Sequence, residues 1–96
     1  MGKKEIIALL REYKNNFTEK YGIGSLGFFG SMARGEARED SDLDIVVTIE
    51  KPDLVVLSRI RIEIEEMIHR HVDIVHYRKN MNKFLKDRID REAVYV

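Results

Sequence analysis

The segment that decides the fold reads GSMARGEAREDSDLD and spans residues 30–44. It follows residues 25–29, a short apolar run next to glycine, which is typical of a buried strand. The pair Gly30-Ser31 predicts a turn from this strand into a short helical segment that ends near Gly35. The polar residues 36–41 then form a loop that leads into a second strand.

Residues 42–49 give the clearest strand in the chain, because apolar side chains alternate with others. Asp42 and Asp44 share one face, and their carboxylates are expected roughly 6.6 Å apart along the strand. A solvated strand start would also explain such a pair. Asp44, however, already lies inside the apolar run, where an unpaired carboxylate is costly. The two acids are therefore candidate ligands for a hard cation such as Mg²⁺, which takes oxygen ligands at about 2.0–2.1 Å.

A third carboxylate has the same surroundings. Asp73 lies in residues 72–77, a β-rich run that predicts another strand. Burial of this acid without a partner would be expensive. If the two strands are neighbours, Asp42, Asp44 and Asp73 converge and form the ligand set of a two-metal phosphoryl-transfer site.

The Gly30-Ser31 turn is a candidate phosphate site. Glycine lets the backbone approach a phosphate closely, while the Ser31 hydroxyl and the N–H groups at a helix start donate to it. An ordinary turn between a strand and a helix explains the pair equally well. Arg34 has two possible roles: it contacts the bound phosphate groups of a nucleoside triphosphate, or it forms an ion pair with one of the aspartates.

The remaining elements are predicted from helical periodicity. A first helix covers residues 3–21, and a second starts after Pro52 with Leu54 in its apolar stripe. A last helix is capped by Asn80 and carries the apolar residues Met81, Phe84, Leu85 and Ile89. A short tail follows at residues 93–96. The order α-β-α-β-α-β-α predicts an α/β (α+β) fold. We expect a small mixed sheet of about three or more strands, with helices mainly on one face and the acid face open.

Length and composition restrict the class of protein. The 96 residues, 44% hydrophobic and 35% charged, predict a single domain over residues 1–96. Seventeen basic and seventeen acidic side chains give a formal net charge of zero, so direct DNA binding is not expected. No run approaches the ~18 apolar residues of a membrane span. The N-terminus lacks the pattern of a secretory signal, so the cytoplasm is the expected compartment.

Together these motifs resemble the DNA polymerase beta-like nucleotidyltransferase superfamily. The resemblance rests on Gly30-Ser31, ten intervening residues, Asp42-Leu43-Asp44, and Asp73 in a later strand. Residues 33–38 are similar to the minimal nucleotidyltransferase branch, which includes the MntA-type antitoxins, and the similarity spans essentially the whole chain.

The resemblance implies roles for these residues. Asp42 and Asp44 would hold two Mg²⁺ ions, and Asp73 would position the attacking hydroxyl as a metal ligand or base. Gly30 and Ser31 would hold the β- and γ-phosphates of ATP, with Arg34 as a further nucleotide-binding residue. The implied reaction is transfer of AMP from ATP to a hydroxyl, with a tyrosine of a HEPN-type toxin as the acceptor.

Two other functions fit the same sequence. The chain could be an antitoxin that blocks its partner sterically without catalysis, or a nucleotidyltransferase of small molecules, which is disfavoured because no pocket-forming domain is visible. A homo-oligomer is compatible with the small core and open sheet face. His69, His71 and His76 are interpreted as structural, and the basic residues of the last helix as a solubilising face.

Overall fold

A computed structural model describes all residues, 1–96, as eight elements. In chain order they are α1 (Lys3–Tyr21), β1 (Ile23–Phe29), α2 (Ser31–Arg34), β2 (Leu43–Ile49), α3 (Leu54–Ile68), β3 (Val72–His76), α4 (Lys83–Glu92) and β4 (Val94–Tyr95). The mixed α/β fold predicted from the sequence is confirmed. None of the helices is both long and apolar enough to cross a membrane.

The four strands form one mixed sheet in the order β3-β2-β1-β4. β1 is antiparallel to both β2 and β4, whereas β2 and β3 are parallel and are connected through α3. β4 was predicted only as a tail, because two residues carry no periodic signal. Its pairing depends on Gly27, where an added Cβ would lie only 2.5 Å from the Val94 carbonyl oxygen.

The main core lies between the sheet and the helices α1 and α3. Alternation along β2 turns Leu43, Ile45 and Val47 to this side, where all three are fully buried. They pack with residues of the two helices, among them Leu10 and Ile64. At about 1.5–3 kcal/mol for each large apolar side chain, this layer supplies most of the driving force that holds the sheet in place.

The last helix, α4, packs on the opposite face of the sheet. Ile89 of α4 contacts a smaller buried cluster with Phe29 and Val46. The sequence placed the helices mainly on one face, and α1 and α3 follow that prediction while α4 does not. As a result α4 lies on the same sheet face as the acids, and that face is only partly open.

Three local predictions were wrong. The helix α4 begins after Asn82, whose side chain accepts a hydrogen bond of 3.1 Å from the Leu85 N–H, so Asn80 is not the cap. Phe84 and Leu54 were assigned to apolar stripes but are 84% and 82% exposed. Both lie in the first turn of their helices, beyond the reach of the core.

Candidate active site

The sheet register brings the predicted acids together at one end of the β2 and β3 strands. Asp44 on β2 lies directly beside Asp73 on β3, and Asp42 immediately precedes β2. Leu43 between them points into the core and is fully buried. Because alternate residues of a strand share a face, Asp42 and Asp44 project to the opposite side, together with Asp73. The structure therefore unites three carboxylates that are up to 31 residues apart in sequence.

Asp44 is the most enclosed of the three acids. Burial raises the pKa of its carboxyl group above the ordinary value, and the negative charge of Asp73 raises it further. The positive charges of Arg88 and Arg34 act in the opposite direction and lower this pKa. A carboxylate that is penalised by burial and by a like charge is stabilised by any cation bound beside it.

Gly30 lies against Asp44. Its backbone angles, φ 76° and ψ −150°, belong to a region that is essentially restricted to glycine. A Cβ at this position would lie 2.2 Å from Asp44 Oδ2. Ser31 follows as the first residue of α2, so the turn that the sequence predicted as a phosphate site borders the acids directly.

Arg34 contacts glutamates rather than aspartates. Its Nε lies 2.9 Å from Glu36 Oε2, and its Nη1 pairs with Glu92 Oε1. The ion pair with an aspartate, one of the two alternatives for this residue, is therefore not formed. The Arg34 guanidinium, as the main hydrogen-bond donor, holds the pKa of Glu92 below its ordinary range.

The Arg88 guanidinium was missed as a site residue by sequence reasoning. Its Nε lies 3.4 Å from Glu92 Oε2, and its guanidinium carbon lies 5.6 Å from the centre of the Phe29 ring. Glu92, with a side chain only 14% exposed, thus contacts Arg34 and Arg88 at the same time. No sequence signal marks this arrangement, because it arises only when α4 packs on the acid face.

His71 is a second missed residue. Its Nδ1 lies 3.4 Å from Asp42 Oδ1 and 4.0 Å from Asp73 Oδ1. A signal was available, since His71 lies two residues before Asp73 and so falls on the same side. His76 has a different role: its Nε2 accepts a hydrogen bond of 3.4 Å from the Ile49 N–H, which fits the structural interpretation of that residue.

The donor chemistry of the site fits a divalent cation. Donor atoms of Asp42, His71 and Asp73 all lie within 4.8 Å of one another, and Asp44 adjoins Asp73. Carboxylate oxygens are the ligands that Mg²⁺ prefers. A cavity of about 450 Å³ lies elsewhere, between the start of α3, β3 and the start of α4, and none of the three acids lines it.

A small mixed sheet that presents two strand-borne acids beside a Gly-Ser turn defines a nucleotidyl-transfer domain. The model of the nucleotidyltransferase domain family matches residues 10–96, and the chain belongs to this family. Its relatives assign it to the minimal nucleotidyltransferase branch, as the sequence resemblance predicted, and the prediction that it is a nucleotidyltransferase enzyme is confirmed.

Three comparisons illustrate this relationship. Protein adenylyltransferase MntA of Thermococcus cleftensis is 35% identical over 94 residues, which cover 97% of this chain and 94% of that protein. The solved structure of a candidate minimal nucleotidyltransferase is 35% identical and covers 98% of this chain and 95% of its own, with a TM-score of 0.78. A chain in the solved structure of a tri-AMPylated Shewanella oneidensis HEPN toxin in complex with MNT antitoxin shares the fold at 18% identity and a TM-score of 0.61. The match covers 97% of this chain and 66% of that one.

Proposed function

We propose that this nucleotidyltransferase moves AMP from ATP to a hydroxyl group on a partner protein, a HEPN-type toxin with a tyrosine acceptor. The name of the Thermococcus relative, a protein adenylyltransferase, supports the donor group and the acceptor class. The AMPylated HEPN toxin found with an MNT antitoxin supports the partner. In the same proposal the chain acts as the antitoxin of the pair, and AMP addition inhibits the toxin.

The observation that carries the proposal is the pairing of Asp44 with Asp73 beside Gly30, with Asp42 on the same face. We assign Asp42, Asp44 and Asp73 as the residues that hold two Mg²⁺ ions. Such ions stabilise the negative charge on the attacking and leaving oxygens and on the phosphate oxygens. Asp44, whose pKa is raised by burial and by Asp73, gains most from a bound cation.

The nucleotide is assigned to the glycine turn and to the arginines next to it. Gly30 lets the backbone of the turn lie directly against Asp44, and the Ser31 hydroxyl and backbone N–H donate to the β- and γ-phosphates. Arg34 and Arg88 share Glu92, which orients both guanidinium groups, and Arg34 also pairs with Glu36. Two such cations on one edge suit the pyrophosphate that leaves.

The acceptor hydroxyl approaches from the β3 side, where the Asp73 side chain is 57% exposed. Its oxygen attacks the α-phosphorus in line, the bond from that phosphorus to the bridging oxygen breaks, and pyrophosphate departs. The hydroxyl proton passes to a carboxylate oxygen of Asp73. The products are a phosphodiester-linked AMP on the acceptor and free pyrophosphate.

The direct test is incubation of the purified chain with ATP, Mg²⁺ and the protein encoded next to it, followed by intact-mass spectrometry. We expect adenylate mass on the partner with the natural chain and none with Asp44→Asn. Asp87→Asn is a matched control, because Asp87 is an exposed aspartate of α4 that is absent from the site. Absence of the added mass, under conditions in which the natural chain neutralises the partner, contradicts the proposal.

A binding antitoxin that acts sterically is the second candidate, and exposed apolar side chains favour it. Leu54 and Phe84 are 82% and 84% exposed, and Leu54 lines the 450 Å³ cavity, away from the acids. Asp44→Asn separates the two functions. Neutralisation of the toxin by this variant would favour steric block, whereas loss of neutralisation with retained binding to the partner would favour transfer.

A further inference from the structure

The imidazole of His71 faces the acid cluster of the proposed active site. Its Nδ1 lies 3.4 Å from Asp42 Oδ1 and 4.0 Å from Asp73 Oδ1. Its side chain is 60% exposed, so no packing requirement explains the presence of a histidine here. It is the only nitrogen donor in a group of three residues whose ligand atoms lie within 4.8 Å of one another.

The position of His71 is fixed by its backbone. Its carbonyl oxygen accepts a hydrogen bond of 2.9 Å from the Leu43 N–H, which ties it to the residue between Asp42 and Asp44. The next N–H, that of Val72, donates to Glu65 Oε2 at 2.9 Å. The preceding helix ends at His69 in a left-handed conformation with φ 59°. The imidazole is therefore attached to a well-anchored segment.

The separations agree with what a shared cation requires. Two ligands at about 2.1 Å from an octahedral ion are about 3.0 Å apart when adjacent and about 4.2 Å apart when opposite. The observed 3.4 Å and 4.0 Å to the two carboxylates need changes of only a few tenths of an ångström. Rotation of the exposed side chains is sufficient for that.

We propose that His71 is an additional metal ligand of the active site and that it gives the site a preference for Mn²⁺ over Mg²⁺. The inference rests on the proposed assignment of the acids as the metal site. Mg²⁺ binds imidazole poorly and prefers carboxylate, carbonyl and water oxygens, whereas imidazole nitrogen suits transition metals. A site with three carboxylates alone would bind both ions through oxygen, and His71 adds affinity for only one of them.

The experiment measures metal binding without nucleotide or acceptor. Free Mn²⁺ is followed by electron paramagnetic resonance during titration of the metal alone, and Mg²⁺ affinity is obtained by competition. For His71→Asn we expect Mn²⁺ affinity to fall about tenfold or more, with Mg²⁺ affinity changed less than about threefold. The matched control is His69→Asn, which removes a nearby imidazole at a left-handed position that asparagine tolerates. It should leave both affinities unchanged.

A second variant tests the selectivity itself. His71→Asp replaces nitrogen by oxygen at the same place, so Mg²⁺ affinity should rise while the preference for Mn²⁺ falls. Equal loss of both ions in His71→Asn, or no loss of either, would overturn the proposal. Circular dichroism should show that each variant is folded, as expected for an exposed side chain.

Asp42→Asn separates failure of the acid metal site from failure of the His71 assignment. If this variant loses Mn²⁺ while His71→Asn does not, the acid site stands and only the role of His71 fails. If the natural chain and Asp42→Asn bind Mn²⁺ equally, the proposed metal site itself is wrong and the role of His71 falls with it.

Discussion

Replacement of Gly30 by alanine is expected to destabilise the fold strongly, because backbone and neighbour both exclude a side chain there. The conformation of Gly30, φ 76° and ψ −150°, costs any other residue of order 1–3 kcal/mol. The added Cβ would lie 2.2 Å from Asp44 Oδ2. Moving that carboxylate about 30° off its rotamer costs about 0.5–1.5 kcal/mol more. Together these predict a loss of about 1.5–4.5 kcal/mol, a large fraction of the roughly 5–15 kcal/mol of a typical domain.

Gly35 provides the matched control. It also has a positive φ, 74° with ψ 21°, but no atom lies within 4 Å of its hypothetical Cβ. Gly35→Ala should therefore cost only the backbone term, about 1–2 kcal/mol. Urea unfolding followed by circular dichroism measures both free energies. In thermal unfolding each kcal/mol corresponds to about 4–8 °C for a chain of this length.

A double-mutant cycle isolates the contact with Asp44. Asp44→Ala removes the carboxylate and leaves only the Asp44 Cβ, at 3.5 Å from the added methyl, which is an ordinary contact. Gly30→Ala should then cost about 0.5–1.5 kcal/mol less than in the natural chain. The reasoning is refuted if the two changes are additive within about 0.3 kcal/mol and Gly30→Ala costs no more than Gly35→Ala.

Three further predictions address the site and the sheet. Asp44→Asn should abolish transfer yet raise the melting temperature of the metal-free chain, because the folded pKa of Asp44 is raised above 3.8. The gain in stability should be absent at lower pH, grow as pH increases through the folded pKa and then stay constant, and unfolding measured as a function of pH checks this. Glu92→Gln should weaken the ion pairs that orient Arg34 and Arg88, and it should raise the KM for ATP more than it lowers kcat. An unchanged KM in steady-state assays would contradict the placement of these two arginines near the phosphates. Gly27→Ala should detach β4, since the added Cβ would lie 2.5 Å from a β4 carbonyl, and hydrogen exchange should then increase at residues 94–96 while β2 stays protected.

Local periodicity was sufficient to predict most of the elements. The long apolar stripe gave α1 its observed bounds, Lys3–Tyr21, and the alternation of residues 42–49 gave β2 within one residue. Because a strand turns successive side chains to opposite faces, the shared face of Asp42 and Asp44 followed as well. The errors came where periodicity is short or ambiguous, as at the cap of α4 and at β4.

The sequence by itself determined the family and the strand-borne acids, because residue spacing and side-chain alternation are local properties of the chain. Only the tertiary structure decided that Asp44 lies beside Asp73, that His71 faces both Asp42 and Asp73, and that α4 brings Arg88 and Glu92 to the same face. These contacts join residues from separate elements. They depend on strand order, register and helix packing, which are set by burial of the whole core rather than by any single segment.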